Sequence, residues 1–103
     1  MPAARTIFTV FEEITPATIP GSTTDVIAQD VWVEELHLMN VGSSTVTVTI
    51  TDKQGSPIPL LKDIPIDPGT EFHRRYGALY MPSGIAWSAS SGSAIAARLR
   101  YKY

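Results

Sequence analysis

Hydrophobic and polar positions along this chain alternate with the two-residue period of β structure. From Thr45 to Asp52, Val46, Val48 and Ile50 interleave with Thr45, Thr47, Thr49 and Thr51. This β-branched alternation suits a strand with one buried and one wet face and argues against a helix. At the C-terminus, Ile95, Ala97, Leu99, Tyr101 and Tyr103 fall on one face and Ala96, Arg98, Arg100 and Lys102 on the other, giving a strand with an apolar side and a basic side. Val31 to Asn40 sorts differently. Regular alternation puts Trp32, Leu36 and Leu38 on one face and Val31, Val33 and Met39 on the other, so this strand is expected to be covered on both sides.

Turn chemistry divides these runs. Val41-Gly42-Ser43-Ser44 separates the second strand-like run from the Thr45 strand, and Ser91-Gly92-Ser93 separates Ile85–Ser90 from the last one. Both connections have the length and composition of hairpins. Asp67-Pro68-Gly69-Thr70 introduces a further strand over Glu71 to Tyr76, with proline and glycine pre-setting the turn. Pro57, Pro59 and Pro65 each remove a ladder donor, so Ser56 to Ile66 is an irregular or edge strand. Thr6 to Phe11 reads as a first strand. Thr15 to Thr24, with Pro16, Pro20 and Gly21, reads as a long loop or arm that detaches it. The plan is all-β: a single antiparallel β-sandwich, jelly-roll or Ig-like, of seven to eight short strands. Residues 1–24 form its N-terminal strand and extended arm, and residues 25–103 the sandwich domain.

Composition narrows this picture. With 103 residues, 44% of them hydrophobic and 17% charged, the chain fits one modest core and is too apolar and too weakly charged for disorder. It has no cysteine, which excludes disulfides and thiolate metal sites. No apolar run approaches the length of a membrane span and no signal-peptide plan opens the chain, so synthesis in a cytosol is expected. The net charge of −2 hides a separation: residues 1–52 sum to −6 and residues 53–103 to +4. Either the molecule is electrically two-sided or strands from the two halves interleave and cancel.

Candidate chemistry is sparse. His37 and His73 stand in no metal-ligand spacing, there is no Gly-x-Ser-x-Gly elbow, and no glycine-rich loop precedes a helix. The pairs Glu12-Glu13 and Glu34-Glu35 are adjacent in sequence, so on a regular strand their members point to opposite faces and form no acid/base dyad. Asp52, Asp63 and Asp67 sit near turns without a calcium-loop pattern. No catalytic residue, metal or cofactor is assigned. The basic residues are few in an acidic protein, so nucleic acid is not an expected partner.

One resemblance is more specific. Leu36-His37-Leu38-Met39-Asn40-Val41-Gly42-Ser43-Ser44, then Val46 to Ile50 with Asp52 and Gly55, then Ile64-Pro65-Ile66-Asp67-Pro68-Gly69-Thr70 follow one another in this chain. Gly77, Pro82-Ser83-Gly84-Ile85, Ser88-Ala89-Ser90 and a closing strand ending in Tyr101 complete the series. This order of strands and turns, over residues 25 to 103, resembles the small β-sandwich virion structural proteins of tailed bacteriophages, of the capsid-decoration or accessory head or tail type. The resemblance implies a non-enzymatic virion protein made in the host cytoplasm. Its partners would be itself, as a homo-oligomer such as a trimer, and other virion proteins such as the major capsid protein, with no membrane involved.

Two sets of surface residues follow. For assembly, Phe8, Phe11, Ile14, Leu79, Tyr80 and Met81 would supply apolar contacts and Arg74 and Arg75 would also lie at the interface, while Glu34 and Glu35 would pair with the basic face of the last strand, which carries Arg98 and Arg100, between copies and make association partly electrostatic and salt-sensitive. The alternative function is a carbohydrate- or receptor-binding module in which Tyr76, Tyr80 and Trp87 form a stacking platform. That platform requires at least two of the rings to be exposed and coplanar.

Overall fold

The computed structural model describes residues 12–103, and for residues 12–18 the backbone path. Eight strands follow in order: β1 (Glu12–Thr18), β2 (Thr24–Ile27), β3 (Val31–Asn40), β4 (Val46–Asp52), β5 (Pro59–Ile66), β6 (Glu71–Met81), β7 (Ile85–Ala89) and β8 (Ile95–Lys102). They form two four-stranded antiparallel sheets, ordered β1-β8-β3-β6 (sheet A) and β2-β7-β4-β5 (sheet B). The pairs are nested, with β1 on β8, β2 on β7, β3 on β6 and β4 on β5, as in one long hairpin rolled up. Contacts of β8 with β3 and of β7 with β4 close the roll. This is the jelly-roll form of the sandwich, not the Ig-like one.

The two expected hairpins are corrected by this topology. β3 lies in sheet A and β4 in sheet B, and β7 and β8 are divided in the same way, so both turns carry the chain across the sandwich. Among the described strands, β4–β5 is the one connection that joins paired neighbours. Turn residues reverse a chain without deciding whether the next strand pairs beside the last or faces it.

The arm is corrected too. Part of the stretch read as detached is β1, which pairs along the edge of sheet A, and Ile19 just beyond it is fully buried, its N–H donating to the Ile95 carbonyl at 3.0 Å. The register shifts between Ile14 and Ala17, around Pro16. An edge position and a bulge are where a strand tolerates proline, and the bulge erases the alternation that would have revealed the strand. The sandwich therefore begins upstream of residue 25. The strand expected over Thr6 to Phe11 lies outside the described residues.

Between the sheets lie the inward residues of every alternating run: Val46, Val48 and Ile50 of β4, and Ile95, Ala97, Leu99 and Tyr101 of β8. In β3 the expected parity fails midway. Val33 pairs with Tyr101 and Glu35 with Arg100, so Glu34 is an extra residue opposite β8. This bulge switches faces. Val31 and Val33 join Leu36 and Leu38 in the core, whereas Trp32 and Met39 turn outward. The strand is thus apolar on one face and covered on one side only.

Candidate functional site

The outer face of sheet A carries a cluster of charged residues. Its central strands are β8, basic on this face, and β3, which carries Glu34 and Glu35, while β6 contributes Glu71, His73 and Arg75. His37 and Glu71 are 2.6 Å apart, the His73 ring N–H donates to Glu35, and Arg100 approaches Glu35 at 3.4 Å. Arg75 stands 3.9 Å from Glu34. The two imidazoles meet edge to face, their centroids 5.5 Å apart. Glu35 has its pKa lowered, first by the hydrogen bond from His73 and then, against a desolvation that acts the other way, by the charge of His73 and by Arg100 and Arg75. A shallow depression of about 220 Å³ lies among Glu35, His37, Arg98 and Arg100. Acidic β3 between basic β8 and β6 makes the charge halves of the sequence interleave. One pairing expected between copies, Glu35 with Arg100, is made inside one chain.

The outer face of sheet B is a hydroxyl surface. Thr47, Thr49, Ser88 and Ser90 line a second depression of about 220 Å³. Asp63 holds the positive φ of 49° that interrupts β5, its N–H donating to Thr49 Oγ1 at 3.1 Å.

A third feature is apolar and open. Where the first residues of β5 and the last of β6 part, a groove of about 300 Å³ is lined by Ile58, Leu60, Leu79, Tyr80 and Met81, with Asp52 and Gln54 among its walls. Ile58 is 62% exposed, Leu79 41% and Tyr80 46%. β5 and β6 each lie at one edge of their sheet, so the groove is bordered by unpaired backbone. Asp52, buried, accepts hydrogen bonds from the Gln54 and Ile58 N–H groups at 3.2 and 3.1 Å and from Gln54 Nε2 at 2.8 Å, which fixes the loop that carries Ile58. Burial raises its pKa, but these three donors outweigh burial and leave it lowered. Tyr80 rests on Trp32, centroids 5.0 Å apart, and hydrogen bonding to Asp30 together with partial burial pushes its phenol up.

The residues singled out in the sequence divide accordingly. Leu79 and Tyr80 are exposed at the groove, while Met81 is only 4% exposed and belongs mainly to the core. Glu34, Glu35, Arg75 and Arg100 meet within the chain on sheet A, and Arg98 lies beside them. Arg74 leaves that group, its guanidinium lying 5.1 Å from the centroid of the Phe72 ring. Phe8 and Phe11 lie outside the described residues, and Ile14 is placed only by its pairing with Leu99. The stacking platform is not assembled. Trp87 is 5% exposed in the core and Tyr76 is half-buried, its hydroxyl enclosed without a hydrogen-bond partner. Burial pushes the Tyr76 phenol up, against the charge of Arg74. Alternation in Ile85-x-Trp87-x-Ala89 already pointed Trp87 inward, but nothing in the sequence marked Ile58 or Trp32 as surface residues. Among the described residues, no group of three or more His, Asp or Glu side chains is placed to hold a metal ion.

Comparison with protein-family models, curated proteins and solved structures returned no match.

Proposed function

We propose that this chain is a non-enzymatic structural subunit of a tailed-phage virion, an oligomeric decoration or accessory protein that binds the capsid or another component of the particle. The observation that carries this reading is the open apolar groove, rimmed by Ile58, Leu79 and Tyr80 between two edge strands. Solvent-facing apolar groups gathered beside unpaired strand edges are a form in which a protein presents a surface to a partner. Two further features support it: the order of strands and turns over residues 25 to 103, and the jelly-roll pairing, an architecture that viral coats use alongside lectins and cupins. The fold alone selects none of these.

Sedimentation velocity tests the assembly part. A defined oligomer is expected at micromolar concentration, and Tyr80→Asp is expected to dissociate it; a monomer at every concentration would sink the reading. For the virion part, particles purified from lysed cells that express the gene should contain the chain in fixed stoichiometry. Recovery from the soluble fraction alone would contradict it.

A further inference from the structure

The sheet edges differ in how well they are closed to a further strand. Among the described strands, β1 and β6 flank sheet A, and β2 and β5 flank sheet B. β1 is bulged between Ile14 and Ala17. β2 has four residues and a register shift within them. β5 carries Pro59 and Pro65, and Asp63 interrupts it at a positive φ of 49°. Shortness, proline and bulges all keep a sheet edge from pairing with another chain. β6 has such a distortion in its second half only, where Gly77 and Ala78 hold φ of 65° and 70°. From Glu71 to Arg75 it pairs with β3 without a register shift, contains no proline, and exposes every residue except the half-buried Phe72.

The side chains of this open stretch select its occupant. Antiparallel neighbours set residues of the same hydrogen-bonding class opposite each other, so a two-fold axis that pairs this edge with itself passes through a residue and not between two. An axis at Arg74 sets that arginine against its own copy and Arg75 against His73. One at Phe72 leaves Arg74 and Arg75 opposite Thr70 and Gly69, outside the strand. An axis at His73 sets Glu71 opposite Arg75 twice over, the cross-strand arrangement that stabilises a pair. It also sets Phe72 opposite Arg74, two side chains that already meet within one chain at 5.1 Å. The contacts made inside the chain leave these charges accessible. Glu71 touches His37 with its side chain 55% exposed, and Arg75 stands 3.9 Å from Glu34 with its side chain 68% exposed.

We infer that two copies of this chain pair edge to edge along Glu71–Arg75, antiparallel about a two-fold axis at His73, so that their A sheets continue into one another. Main-chain hydrogen bonds supply the affinity and the two Glu71–Arg75 pairs fix the register. The contact is isologous and closes on itself. It goes beyond the groove contact proposed above, which takes the other end of β6 from Leu79 to Met81, and the two can form at once.

Because the chain has no cysteine, an introduced thiol reports the register. Full-length His73→Cys chains treated with oxidised glutathione are expected to link to one another. Glu71→Cys or Arg75→Cys chains treated alone should link on the order of tenfold less, since each thiol then lies four residues, about 13 Å, from its copy along the pair. Mixing those two variants should restore linkage. Linkage that ignores position, or none at residue 73, would overturn the inference. Sedimentation, with folding checked by circular dichroism, reads the affinity. Glu71→Arg is expected to weaken the pair about tenfold, and Glu71→Arg/Arg75→Glu to restore it. Failure of the double substitution to restore it would place the effect of Glu71 inside its own chain, at His37, and overturn the contact. In His73→Cys/Tyr80→Asp chains the linked pair is expected to persist. Its loss there, from a parent chain that is oligomeric, would overturn the edge contact and leave the groove reading standing. A chain that is monomeric throughout would end both.

Discussion

Asn40 ends β3 with its side chain wholly inside the sandwich. Its Nδ2 donates to the carbonyls of Ser44 and Ile66, both at 2.8 Å, and its Oδ1 accepts from the Gly42 N–H at 2.8 Å. One amide therefore ties the end of a sheet A strand to the turn before β4 and to the last residue of β5, both in sheet B. Asn40→Ala strands one buried acceptor, one part-buried acceptor and a part-buried donor, and is expected to lower stability by roughly 2–3 kcal/mol in urea unfolding. Asn40→Asp should do no better, because it points oxygen at two carbonyls. Gly84 is the backbone counterpart. It holds φ +119°, and a Cβ there would stand 1.9 Å from the Ile27 carbonyl oxygen. Gly84→Ala should cost roughly 3 kcal/mol or more. Gly55, with nothing near and no such φ, should accept alanine and gain about 0.4–1 kcal/mol. A thermal melt of the two alanine variants, one far below and one slightly above the parent, checks the contrast.

At the level of elements, β4 and β8 were legible because their alternation is unbroken, and β5 because its prolines fit only an edge. β1 and β3 were not, for one shared reason. Each contains a bulge, at Ile14–Ala17 and at Glu34, and a single extra residue reverses the parity of all that follows, while the sequence signals no insertion. The Glu34 bulge also turns Glu35 onto the outer face of sheet A, between His73 and Arg100. Its lowered pKa has a definite consequence for stability. A carboxyl that holds its proton less tightly when folded stabilises the fold above its unfolded pKa and loses that contribution as the pH falls through the lower, folded value. Asp52 has the same sign. Melting temperature should therefore hold near neutrality and decline on acidification from about pH 5 to about pH 3. Glu35→Gln should start lower and decline less. An unchanged slope in that variant would show that Glu35 carries none of the acid sensitivity.

For the whole molecule, the residues of the proposed assembly surface were partly legible and their arrangement was not. Leu79 and Tyr80 stood out as a short apolar group, but the groove also needs Ile58, which a loop fixed by Asp52 brings to the same place. The charges illustrate the same limit. A −6 half and a +4 half suggest subunits attracted through opposite faces, yet nested pairing sets β3 between β8 and β6 and pairs Glu34 with Arg75 and Glu35 with Arg100 within one chain. The groove proposed as a contact between copies is lined mainly by apolar residues. Salt then separates the two kinds of association. Paired surface charges weaken as the screening length shrinks from about 10 Å at about 0.1 M to about 3 Å at about 1 M, whereas apolar contact does not. Excluded anions such as sulfate strengthen it. The oligomer should therefore keep its sedimentation coefficient from low salt to about 1 M sodium chloride and bind more tightly in sodium sulfate. Dissociation by sodium chloride would return the interface to the charged face of sheet A and away from the groove.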